Sequence, residues 1–182
     1  MKTRNSLLSI ISASVIVFAS CTNNPRTVDD KASAEAVSDT KVQEQAATEN
    51  YEQLTRIADL LIQQVQLGDI AQANSSSSTV RKSAADLKQK SQAMYNELSA
   101  LAQAKAIILP ELPGNDGTAF VTKMQQLKGA QFDTEYTSIS TADHAQLLDM
   151  LQSTAASSND AQIREWANKA LSVLKAHETP AS

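Results

Sequence analysis

From residue 50 onward, apolar side chains recur at spacings of three and four, the period that lines one face of a helix. Leu54, Ile57, Leu61 and Val65 form a stripe that predicts a first helix from Asn50 to Asn74, closed by the run NSSSS. Val80, Ala84, Leu87, Met94, Leu98 and Leu101 predict a second from Thr79 to Lys105. The segment LPELPGNDG then breaks the chain, because Pro110 and Pro113 lack amide donors and Gly114 and Gly117 admit tight turns. A short third helix carries Phe120, Met124 and Leu127 up to Gly129. A fourth is expected from Asp133 to Ser153 and a fifth from Asn159 to His177, with Asp133 and Asn159 as N-caps. Four long helices with short connections predict an all-α fold, an antiparallel four-helix bundle with a short extra helix crossing between its hairpins.

Upstream the pattern fails. Between Thr22 and Thr48 only Val28, Val37 and Val42 are apolar residues larger than alanine, too few to offset the entropy of ordering the chain. Residues 21–48 therefore read as a flexible tether, part of it transiently helical from its Ala, Glu and Gln content, and residues 49–178 as the bundle domain. Residues 1–20 have a basic start at Lys2 and Arg4, an apolar run from Leu7 to Ala19, and small residues before Cys21. That is the layout of a secretory signal peptide, and the run is shorter than the roughly 20 residues a membrane-spanning helix needs. Val17-Phe18-Ala19-Ser20-Cys21 resembles the bacterial lipobox, in which the cysteine is acylated and becomes the N-terminus. The plainer alternative is an ordinary cleaved signal that leaves a free thiol.

Composition and charge narrow the partners. Cys21 is the only cysteine, so its acylation leaves no thiol for a disulfide, a metal or a nucleophile. Of 16 Lys and Arg, Lys2 and Arg4 leave with the signal, and 14 then face 20 Asp and Glu, a mature net charge of −6. Nucleic-acid binding rests on clustered cations and is not expected. The membrane is expected as a partner only through the N-terminal lipid, and a protein or small polar ligand is left open.

LGDIAQANSSSSTV (67–80), GAQFDTEY (129–136), Asp143-His144 and WANKALSVLKAH (166–177) resemble successive blocks of the domain-of-unknown-function family 4142. The resemblance covers roughly residues 50–178. It implies an exported bacterial protein, often labelled outer-membrane, with a bundle similar to ferritin-like folds, and hence an outer-membrane anchor facing the periplasm. It implies no activity. Lys90 and Ser91 stand where the family usually has Asp-His, and Leu171-Ser172 where a Leu-Pro precedes the last histidine.

Five residues are candidates for chemistry or for a buried polar network: Asp133, Tyr136, Asp143, His144 and His177, with Ser91 as a sixth member in the second helix's stripe. On the helical wheel His177 falls in the stripe of Trp166, Ala170, Val173 and Leu174, and Asp143 near the centre of the fourth helix's stripe. Buried polar groups need partners, since an unsatisfied one costs about 1–3 kcal/mol. A di-iron bundle requires Glu-x-x-His on two helices, whereas Thr141 precedes His144 by three and Leu174 precedes His177 by three. If the last two helices form a simple hairpin, the two histidines differ in height by roughly 13 Å at 1.5 Å per residue. His177 is then expected at the level of Asp133 and Tyr136, and no metal or other cofactor is expected. No H-E-x-x-H, G-x-S-x-G or phosphate-binding loop occurs. The expected function is an envelope lipoprotein with a non-catalytic binding or structural role, the alternative a ferritin-like metal-binding or redox protein.

Overall fold

The computed structural model describes residues 30–178, with side chains from 51 to 177. The expected signal peptide of residues 1–20, the expected lipidation site Cys21 and the first part of the expected tether lie outside that range. The helices are α1 (Asp30–Asn74), α2 (Ser78–Ala104), α3 (Asn115–Gln126), α4 (Gly129–Ser157) and α5 (Ala161–Glu178). No strand occurs among the described residues, and no helix there is long and apolar enough to cross a membrane. The fold is an all-α bundle.

Side-chain pairs fix the register. Gln64 meets Ser91, Asp69 meets Lys88 and Gln72 meets Arg81, so numbers fall on α1 as they rise on α2. Gln53 with Met150 and Gln63 with Asp143 give α1 and α4 the same opposed sense. Glu97 with Lys169 and Lys105 with Asp160 do so for α2 and α5. Gly68 sets the closeness of α1 and α2: a Cβ there would stand 2.6 Å from Lys88 Cβ and 3.0 Å from the Ala84 carbonyl oxygen.

Helix ends depart from the expected ones for local reasons. α1 starts at Asp30 rather than Asn50, so residues 30–48, within the expected tether, have helical backbone; the segment is rich in Ala, Glu, Gln and Lys, all strong helix formers. α4 starts at Gly129, whose φ of 59° turns the chain into the helix, and Asp133 lies one turn inside it. α5 is capped by Asp160, whose Oδ1 accepts from the Gln162 and Ile163 amides at 2.9 and 3.1 Å. Neither Asp133 nor Asn159 is an N-cap.

The core has two storeys. In the lower one, Leu54, Ile57 and Leu61 of α1 pack with Leu98, Leu147, Leu151 and Trp166 from α2, α4 and α5. In the upper one, Leu67, Ala71 and Ala84 pack with Val121, Met124, Phe132 and Tyr136, so the fourth helix there is α3, which lies on the side of α1 and α4 and leaves the position above α5 unfilled. Each fully buried Leu, Ile or Phe contributes about 1.5–3 kcal/mol, and α3 is therefore part of the scaffold. The change of partner between storeys positions the features below.

Candidate functional site

At the upper end, three chain segments are tied by side chains. Asn74 is buried at the end of α1, and its Nδ2 donates to the carbonyls of Leu127, Gln125 and Met124 at 2.9, 3.2 and 3.3 Å, closing the C-terminus of α3. Lys128 Nζ donates to Asn74 Oδ1. Ser75 and Ser76 donate to the two oxygens of Asp133 at 2.5 and 2.6 Å, pinning the α1–α2 loop to α4. These hydroxyls hold the Asp133 carboxyl below its ordinary value of 3.8, because they bond to its charged form. Arg81 donates to the Ser75 carbonyl, and Ser77 caps α2 by accepting from the Val80 amide. The cluster is saturated with intramolecular bonds and reads as a structural tie.

A second feature lies just below. α5 has 18 residues and α4 has 29, so roughly 16 Å of α4 stands beyond the end of α5. With α3 packed against α1 and α4, the space between α2 and α4 above α5 stays open. It forms a cleft of about 440 Å³ lined by α2 from Thr79 to Leu87, by α4 from Tyr136 to Ala145, and by His177. That volume falls within the range of about 300–1,000 Å³ typical of small-molecule sites.

His144 and His177 meet at its floor, with ring centroids 6.1 Å apart and planes tilted by 44°. This overturns the expected separation of roughly 13 Å. α4 runs four residues past Ser153 and α5 starts two after Asn159, which removes about 9 Å of the difference at 1.5 Å per residue. His177 Nδ1 lies 2.8 Å from Asp86 Oδ2 and 3.2 Å from Lys90 Nζ, not beside Asp133 as expected. Lys90 also reaches Asp86 at 2.6 Å. The lysine, first, and the imidazole then hold the Asp86 carboxyl below its ordinary range. A proton on Nδ1 bonds to Asp86 and leaves the imidazole lone pair on Nε2.

The remaining candidates take different partners, and these bonds do not join them in the single network expected. Asp143 is buried and accepts from Gln63 Nε2 at 2.8 Å; burial pushes its carboxyl up, and the Gln63 bond opposes that. Ser91 is fully buried and donates to Gln64 Oε1 at 2.6 Å. Tyr136 stacks on Phe132 with centroids 5.7 Å apart, and burial pushes its phenol up, opposed by the neighbouring Ser140. Of the five candidates, Tyr136, His144 and His177 share the cleft. The reading of single residues missed Asp86 and Ser83 on α2 and the hydroxyls of Thr137, Ser140 and Thr141, whose spacing along α4 places those three on one face.

A family model described as a domain of unknown function, DUF4142, matches residues 32–182. The chain belongs to this family. The DUF4142 match takes in the helical residues 32–48 as well as the bundle. No curated protein and no solved structure matches the chain. The DUF4142 blocks quoted above sort onto the two features: Asn74, the serines and Asp133 build the tie, while Tyr136, His144 and His177 reach the cleft. A ferritin-like di-iron centre does not fit the residues present, since no group of three or more His, Cys, Asp or Glu converges among those described.

Proposed function

We propose that this DUF4142 protein is a lipid-anchored binding module of the bacterial cell envelope, with the α2–α4 cleft as its ligand site. The open cleft carries the reading: it places two imidazoles, a buried tyrosine and a row of hydroxyls around a ligand-sized space. Sites of this kind combine apolar walls with a few convergent polar groups. The arrangement supports recognition rather than turnover. The hydroxyls of Thr137 and Thr141 pair with helix carbonyls instead of with a base, and Asp86, the carboxylate beside His177, is already paired with Lys90. Anchoring at Cys21 is supported by the signal-like N-terminus and the lipobox-like order before the cysteine.

Two experiments test the reading. Cys21→Ser should move the protein out of the membrane fraction or leave an uncleaved precursor; retention after carbonate washing contradicts the anchor. For the cleft, Ala145→Trp fills space at an exposed lining position without touching the core. Mass spectrometry of small molecules released from protein purified from its native envelope should find one with the wild type and not with this variant. The same releasate from both contradicts the site.

A further inference from the structure

We infer that the α2–α4 cleft selects a neutral, polyhydroxylated ligand of the saccharide type. This rests on the cleft being a binding site and specifies its chemistry. Six lining residues carry hydroxyls: Thr79, Ser83, Tyr136, Thr137, Ser140 and Thr141. Thr137 Oγ1 donates to the Asp133 carbonyl at 2.8 Å, and Thr141 Oγ1 donates to the Thr137 carbonyl at 2.8 Å. Their protons are spent, so they offer the cleft lone pairs and methyl groups. The wall is therefore rich in acceptors, and its complement is rich in donors.

Charge decides which donors fit. None of the lining residues is Lys, Arg, Asp or Glu. Asp86 and Lys90, behind His177, already neutralise each other. A phosphate or carboxylate finds no cation fork in the wall, and an ammonium finds no carboxylate. A wholly apolar ligand would strip water from the hydroxyls and replace it with nothing. Val80, Leu87 and Ala145 supply small aliphatic patches that suit the C–H faces of a sugar ring.

Three probes separate the cases: the neutral disaccharide N,N′-diacetylchitobiose, tetramethylammonium and inorganic phosphate, each titrated into isotope-labelled protein while amide chemical shifts are followed. The disaccharide should shift the amides of Thr137, Ser140, Thr141 and His177. Joint substitution of Thr137→Val and Thr141→Val, at exposed positions, should weaken it about tenfold through loss of two acceptors with thermal unfolding unchanged. If phosphate or tetramethylammonium moves these amides more than the disaccharide does, the ligand class is wrong and the binding site stands. Unchanged disaccharide affinity in the double variant overturns the acceptor argument. Should none of the probes shift the cleft, the class and the binding reading both fall.

Discussion

The upper tie and the cleft beneath it are both built from polar side chains, Asn, Ser and Asp in the tie and Ser, Thr, Tyr and His in the cleft, yet their bonds point in opposite directions. In the tie, Asn74, Ser75, Ser76 and Asp133 turn their polar atoms onto the chain. In the cleft, hydroxyls and imidazoles surround a space of about 440 Å³. A polar cluster that satisfies itself holds the fold, whereas one that surrounds a void is available to a ligand. The FDTEY block shows both uses within four residues: Asp133 ties the loop and Tyr136 lines the cleft.

Substitutions in the two regions should separate cleanly. Asn74→Ala should have the largest effect, a loss of about 2–4 kcal/mol in denaturant unfolding, since it removes the side-chain donor from the Gln125 and Leu127 carbonyls at the end of α3 and the acceptor from the Lys128 ammonium. A loss below about 0.5 kcal/mol would mean the tie is incidental. His177→Ala sits between the regions and should cost about 1–2 kcal/mol through lost packing and the lost Asp86 bond. His177→Gln, which keeps one bond and most of the volume, should recover part of it; equal losses would show that the imidazole itself is required.

Asp133→Asn sharpens the contrast through pH. The folded carboxyl lies below its ordinary value of 3.8, so its stabilisation is present above that value and disappears as pH falls through the folded one. Wild type should lose stability through this acid window, and the asparagine variant should lose less over the same range. Parallel acid profiles would remove Asp133 from the tie. Smallest is the effect of joint Thr137→Val and Thr141→Val substitution on unfolding, within about 0.5 kcal/mol, because both side chains are exposed.

How much of this was legible in the sequence depends on the range over which each feature is decided. Helix number and the buried faces follow from apolar spacing, and Asp143 lies inside as its wheel position requires. Asp133 was expected to cap its own helix because capping is local, but Gly129 starts the helix a turn earlier and frees the carboxylate for Ser75 and Ser76, more than fifty residues away. The meeting of His144 with His177 turns on six residues of helix-end placement, which no periodicity fixes. The cleft itself exists because α5 is short and α3 packs elsewhere, a property of the assembled helices rather than of any motif.

The central claim, that the tie carries stability and the cleft carries binding, is tested most directly by measuring unfolding free energy and disaccharide affinity on one set of variants. Asn74→Ala, held folded at low temperature, should lose stability and keep its affinity. The joint Thr137→Val and Thr141→Val variant should keep its stability and lose about tenfold in affinity. If the threonine pair loses both together, or if Asn74→Ala abolishes binding while still folded, the two regions are one structural unit and the division proposed between them is wrong.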